Sequence, residues 1–267
     1  MKEKARATGI YVYCITEGEP IRADVGLHPS RPVYSVVHAD LVAVVSRVPL
    51  AEFGEEALPS HLEDASWLEG EARGHEAVAE KVMQLRAVLP LKFCTIFRTQ
   101  ARVTALLRSR QDQFRRALAA LRGKEEWEVK LLVGSTPSPS NGPEREPDGA
   151  GSGTDYLLRK VTARLRASAA MCRAYSAAQR CFETVASCAE DTRLRPIDAD
   201  SGLSQAGLIL DAVCLLARAR VPVFRQRLDA LGDELRNEGV HVRASGPWPP
   251  YHFTQMELDD VAPPQPA

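Results

Sequence analysis

Apolar positions along the chain alternate between short continuous runs and stripes of helical period. Ile10 to Thr16 (IYVYCIT) is β-branched and aromatic with almost no polar residue, which suits a strand buried on both faces. Val33–Val37 and Leu41–Ser46 are two more apolar runs, and the short His38-Ala39-Asp40 link predicts a hairpin. A helix is predicted from Ser60 to about Val88, with Ser60 as cap and Glu63 three residues on, as in a capping box. Its apolar stripe is Leu68, Ala72, His75, Ala79, Val82 and Leu89, with Trp67, Val78 and Leu85 alongside, and Pro90 ends it. Leu91 to Phe97 (LKFCTIF) alternates like a strand. Residues 101–122 form a second helix with Val103, Leu106, Leu107, Phe114, Leu118 and Leu121 on its apolar side, stopped by Gly123.

The second half has a sharper topological signal. Trp127–Val133 reads as a strand, and Asp155 to about Ala189 as a long helix with Leu158, Val161, Leu165, Cys172, Tyr175 and Phe182 on one stripe. Arg193–Ile197 is a short polar strand and Gly207–Leu216 an apolar one. Val221–Asn237 is a helix that tolerates Pro222 in its first turn, and Val240–Ser245 is a last strand. The order β-α-β-β-α-β is the ferredoxin-like pattern. Its first and third strands are apolar, as central strands should be. Its second and fourth carry Arg, Pro and His, as protected edges do. Alternation predicts that Trp127, Val129 and Leu131 face the helices, while Glu128, Lys130 and Asp211 face away, with Lys130 and Asp211 paired across strands.

The stretch Gly134–Thr154 (GSTPSPSNGPEREPDGAGSGT) has Ala150 as its only aliphatic residue and cannot bury enough surface to offset the entropy of ordering. It reads as a disordered loop, dispensable for folding, inside the second domain. The expected organisation is therefore an α+β protein of two domains. Residues 1–123 form an N-terminal α+β domain, 124–253 a ferredoxin-like β-α-β-β-α-β sandwich containing the loop 134–154, and 254–267 a flexible tail.

Composition narrows the classes. The 267 residues are 45% hydrophobic and 26% charged, with a net charge of −1, an ordinary globular balance that argues against a chain built as a whole to coat nucleic acid or an anionic membrane. No apolar run approaches the ~18–20 residues of a membrane span, and Met1–Thr8 lacks the apolar core of a signal peptide, so a cytoplasmic location is expected. The six cysteines are scattered without a CxxC pair and read as reduced, mostly buried thiols. Charge is unevenly placed. Glu52–Lys81 carries nine acids and two bases, and Arg86–Arg122 nine bases and one acid. Two helices with complementary solvated faces account for this, and a bipolar surface that orients a charged partner is the functional alternative.

Candidate chemistry is thin. The GAGSG within the loop has neither a leading strand nor a following GK[ST], so it is no phosphate loop. Gly202-Leu203-Ser204-Gln205-Ala206 lacks the buried strand of a nucleophile elbow and reads as a hairpin loop. Glu71 and His75 stand four apart on a helix, but without a third ligand they read as a surface acid beside a core-facing histidine. No catalytic, cofactor-binding or metal residue is assigned. The most specific string is Gly246-Pro247-Trp248-Pro249-Pro250-Tyr251, followed by Phe253. Three prolines enforce an extended path with few backbone donors, and Trp and Tyr supply large burial with a polar tip. The segment is expected to lie against the second domain and to close the edge of the final strand, with Trp248 buried. The alternative is that Trp248 and Tyr251 are exposed contacts for a partner.

GPWPPYHF closely resembles the C-terminal signature of the gas vesicle protein F/L family. Other pieces match in order. Ile10–Ile15 looks like the family's tyrosine-rich opening strand, and Ala39–Val48 (ADLVAVVSRV) its next segment. Gly74–Phe97 (GHEAVAEKVMQLRAVLPLKFCTIF) is similar to its helix and Pro-Leu-basic-Phe-x-Thr-x-Phe strand, and Glu126–Lys130 and Tyr156–Lys160 also fit. The resemblance covers nearly the whole chain except the loop and the ends. It marks His75, Pro90, Phe93, Phe97, Pro247, Trp248, Pro249, Pro250, Tyr251 and Phe253 as structural signature residues. Cys14 and Cys94 stand where the family pattern has glycine. The resemblance implies two α+β domains and a non-enzymatic accessory or minor component of gas vesicles, the protein-walled, gas-filled buoyancy compartments of bacteria and archaea. It implies binding to the major shell protein and to other accessory proteins, restraint of shell-protein aggregation during nucleation, and no cofactor, nucleic acid, membrane or small-molecule substrate. A small-molecule-binding or regulatory protein on the same module is the rival class.

Overall fold

The computed structural model describes residues 7–21, 28, 30–134, 153–197 and 207–254, with side chains of the long helix described from residue 169. The chain forms two compact units. One runs to Glu126 and takes in the segment from Pro247, and the other is Trp127–Gly246.

The first unit contains β1 (Thr8–Glu17), β2 (Val33–His38), β3 (Leu41–Pro49), α1 (Leu50–Phe53), α2 (Leu58–Leu62), α3 (Ala65–Leu85), β4 (Val88–Pro90), β5 (Ile96–Phe97), α4 (Gln100–Ser109) and α5 (Gln111–Leu121). Its sheet has the order β2-β3-β1-β4, with β5 also paired to β1. β1 is buried from Gly9 to Thr16, as its unbroken apolar sequence requires. Its pairing with β3 slips between Val12 and Cys14, so Tyr13 is an inserted residue. The bulge brings Cys14 into the same packed layer as Tyr11 and Tyr13, with Val78, Val82 and Met83 of α3.

Three local expectations are corrected here. The capping box at Ser60 does not form. Ser60 Oγ donates to the Ala57 carbonyl at 2.8 Å, and the long helix is capped by Asp64, which accepts from the Ser66 and Trp67 amides at 2.9 and 3.2 Å. A carboxylate directly before the helix satisfies two free amides that Ser60 is too far upstream to reach. The predicted strand Leu91–Phe97 survives only as β5, because the chain turns at Cys94, where φ is 60°. Residues 101–122 form two helices that break at Arg110, which has φ −116° and ψ 21°. The hairpin does form, with His38 opposite Leu41.

The second unit contains β6 (Lys124–Val133, which begins just before the boundary), α6 (Gly153–Cys188), β7 (Asp191–Leu194), β8 (Leu208–Ala217), α7 (Val221–Arg236) and β9 (Val240–Trp248). The strand order is β7-β8-β6-β9, which puts the apolar β6 and β8 at the centre. Trp127, Val129 and Leu131 pack with Leu210, Ala212, Cys214 and Leu216 against α6 and α7. Leu158, Val161 and Leu165 of the predicted helix stripe lie outside the described side chains, and over the described part the stripe is displaced. Cys172 and Tyr175 are exposed, Tyr175 by 73%, and the packed face is Ala177, Cys181, Val185 and Cys188. These smaller side chains let the helix approach the sheet more closely than the larger ones would. The polar pairing also differs from expectation. Lys130 Nζ bonds Glu128 at 2.9 Å along its own strand, and Arg195 holds Asp211 at 2.7 Å and also contacts Glu128. A guanidinium offers a fork of donors that can serve two carboxylates at once, and a single ammonium cannot match it. The loop residues 135–152, including all of GAGSG but Gly153, residues 198–206 with the Gly202–Ala206 segment, and the tail 255–267 lie outside the described residues.

Candidate functional site: the docked C-terminal segment

Signature residues from distant parts of the sequence meet in the first unit. Their floor is built from Tyr11 and Tyr13, two apart on β1, with ring centroids 4.7 Å from each other. The Tyr11 hydroxyl lies 2.9 Å from Nδ1 of His75 on α3, and it accepts the Cys94 amide N–H at 3.0 Å. That bond satisfies the backbone where Cys94 sits at φ 60°, a conformation glycine adopts freely and other residues seldom do. Phe93 closes one side, with its ring 6.5 Å from Tyr11 and 5.8 Å from His75. Tyr251 lies over His75, its ring 6.1 Å away and tilted by 31°.

The segment around Tyr251 is fixed at several points. Pro249, Pro250 and Phe253 are buried, and Tyr251 and Trp248 are half-buried. The His252 amide donates to Glu126 Oε2 at 2.9 Å, and His252 Nδ1 lies 2.6 Å from Glu126 Oε1. Pro247 and Trp248 continue β9 itself, and the chain from Pro247 belongs to the first unit. The segment is expected from sequence to belong with the second domain, whereas from Pro247 it groups with the first unit. Proline cannot donate to a ladder but is tolerated at the end of an edge strand, and the packing partners of Tyr251 and His252 are His75 and Glu126. Trp248 is likewise not the fully buried anchor expected. Pro247 is exposed, Pro90 is buried opposite Cys14, and Phe97 is half-buried opposite Ile10.

Behind Tyr13 stands His28, with ring centroids 5.9 Å apart. Arg31 pairs with Glu71 and lies over the Phe53 ring, 5.0 Å from its centroid. Glu71 is therefore committed to Arg31 and His75 to Tyr11, so the two do not converge on a shared ion. Among the described residues no group of three or more His, Cys, Asp or Glu side chains is gathered as a metal site requires.

Burial governs the protonation states. It pushes the imidazoles of His75 and His28 down to about 4, and Arg31 and Lys81 add to the effect at His28. It raises the phenols of Tyr11 and Tyr251, with the Cys14 thiol and the carboxylates of Glu76, Glu80 and Glu126 adding at Tyr251. At neutral pH His75 is uncharged and both tyrosines keep their protons. The Tyr11 hydroxyl and the neutral imidazole Nδ1 then share one hydrogen bond, and the assembly holds the segment by packing and hydrogen bonds.

Sequence reading marked His75, Phe93 and Tyr251 but missed Tyr11, Tyr13, His28 and Glu126 as their partners. The pair of tyrosines in an otherwise aliphatic strand was the available signal, since a buried phenol demands a polar partner. Nothing local distinguishes Glu126 from Glu125 or Glu128.

The chain matches the family described as gas vesicle synthesis protein GvpL/GvpF over residues 9–255. It is 35% identical over 257 residues to gas vesicle protein L of Streptomyces sp. (strain CB03234), covering 94% of each chain. It is 21% identical over 253 residues to gas vesicle protein F of Haloferax mediterranei, covering 93% of this chain and 94% of that one. The crystal structure of gas vesicle protein GvpF from Anabaena sp. PCC7120 superposes with a TM-score of 0.65 at 22% identity, over 93% of this chain and 99% of that one. That of Microcystis aeruginosa GvpF gives 0.64 at 21% identity, with the same coverage.

Proposed function

Because the chain belongs to the GvpL/GvpF family of gas vesicle proteins, we propose that it is a non-enzymatic assembly factor or minor structural component of gas vesicles. It binds the major shell protein and other accessory proteins in the cytoplasm, limits shell-protein aggregation and supports nucleation. The observation that carries this reading is the family match over residues 9–255. Physical chemistry supports such a role. A shell subunit that faces gas on one side exposes apolar surface before it assembles, and exposed apolar patches and open strand edges aggregate. A protein that covers them transiently keeps assembly orderly without turning over a substrate.

Two finer assignments accompany the reading. The second unit is best classed as ferredoxin-like, which its β-α-β-β-α-β order and its β7-β8-β6-β9 sheet support. Tyr251 acts as an internal anchor, packed on His75, while half-buried Trp248 is the better placed of the two aromatics to touch a partner.

Light scattering of purified shell protein, with and without this chain, tests the function. Near-stoichiometric amounts should suppress aggregation without nucleotide. Suppression that requires ATP, or none at any ratio, would refute it. Trp248→Ala should keep the protein folded while weakening protection.

A further inference from the structure

The described residues of the first unit line a half-open cavity of about 550 Å³ where β3 passes into α1. Its apolar lining is Ala7, Leu50, Ala51, Phe53 and Ile96. Gly9 makes this arrangement possible. A Cβ there would come within 2.8 Å of both Leu50 Cδ2 and Ile96 Cγ2, so any larger residue would push these two side chains from their place over β1. The Leu50 amide donates to the Ala7 carbonyl at 2.9 Å and ties the wall to the start of the sheet.

The rim is charged. Glu55, Glu56 and Arg98 belong to the lining, together with Gly54 and Ala57. The two glutamates belong to the acid-rich stretch Glu52–Lys81, whose nine acids face only two bases. Glu52, Glu63 and Asp64 of that stretch are exposed as well, and within the lining two carboxylates outnumber one guanidinium. A negative rim repels phosphate, which disfavours nucleic acid and anionic lipid. The interior volume falls within the ~300–1,000 Å³ of typical binding cavities and is too apolar to favour a free ion.

We propose that this cavity receives a large apolar side chain from a partner protein, on a segment flanked by lysine or arginine. The apolar side chain fills the space over Leu50, Phe53 and Ile96. The flanking cations lie against Glu55 and Glu56, and a carbonyl or carboxylate of the same segment meets Arg98. Burial supplies the affinity and the charges set direction and partner choice. The inference rests on the function above only in taking the partner to be a gas vesicle component.

The probe is a fluorescein-labelled peptide with a Leu-Phe-Leu centre flanked by lysines, compared by anisotropy with the same centre flanked by glutamates. The lysine form should bind the full chain about tenfold more tightly or better. Glu55→Lys with Glu56→Lys should reverse that preference, and a reversal cannot arise from misfolding. Ala51→Trp, which fills the mouth from an exposed position, should abolish binding of both peptides with no change in Tm. Equal binding of the two peptides, or binding indifferent to Ala51→Trp, would overturn the proposal. So would binding that appears only after residues 1–6 are removed, or a chain that dimerises through the cavity. Peptide binding combined with failure to suppress shell-protein aggregation would sink the shell-protein reading and leave this one standing.

Discussion

The hydroxyl of Tyr11 and Nδ1 of His75 lie 2.9 Å apart and join positions 64 residues apart in the chain. The same oxygen accepts the Cys94 amide, so one phenol satisfies a helix side chain and a strained turn together. Tyr11→Phe removes both bonds and keeps the ring, leaving a buried imidazole nitrogen and an amide unpaired. Stability should fall by about 2 kcal/mol in urea unfolding. A loss below about 0.5 kcal/mol would show that neither bond matters to the fold.

Acid should loosen the first unit through His75. Its folded pKa is about 4 against 6.5 in the unfolded chain, so between those values the unfolded state binds more protons. The associated stability, about 3 kcal/mol, is fully present above pH 6.5, declines as pH falls and is lost below about 4. Denaturant unfolding from pH 7 to pH 4 should show this slope. His75→Gln, which cannot titrate, should flatten it, and His28 contributes in the same direction.

Gly74 packs directly on His28. A Cβ at position 74 would lie 2.3 Å from His28 Nε2. Gly74→Ala removes a poor helix former, which alone favours the helix by about 1 kcal/mol. The clash should reverse the sign, with a net loss of about 1–3 kcal/mol. His28→Ala in the same chain should recover much of it, and a stabilised single mutant would mean that His28 swings aside freely.

Ala39 turns the β2–β3 hairpin with φ 53°. It is exposed, and an L-residue pays about 1–2 kcal/mol in that region. Ala39→Gly should therefore raise stability by about 0.5–1 kcal/mol, after allowing for glycine's greater freedom in the unfolded chain. Thermal unfolding reads this directly, and a lower Tm would contradict it.

Where one interaction dominates, sequence and structure agree. β1, β6 and β8 are apolar enough to be central, and they are, because burying such runs on an edge would waste them. The hairpin at Ala39-Asp40 and the helix-facing parity of Trp127, Val129 and Leu131 follow from period and spacing alone. Competition between near-equal options was less legible. Ser60 and Asp64 both suit a helix cap, and the choice falls to the residue adjacent to the packed helix. Along α6 two apolar stripes compete, and close approach to the sheet favours Ala177 and Cys181 over Cys172 and Tyr175. The destination of the C-terminal segment depends on Glu126 and His75, and no local pattern near Trp248 encodes such remote partners.

Because the segment from Pro247 belongs with residues before Trp127, the first unit is written into the chain in two instalments. Glu126 leaves the ribosome 126 residues ahead of the His252 that it binds. At the typical ~5–20 residues per second, the floor of Tyr11, His75 and Phe93 waits uncovered for several seconds while the intervening unit is made. Messages truncated anywhere in that interval yield a first unit whose seat is never filled.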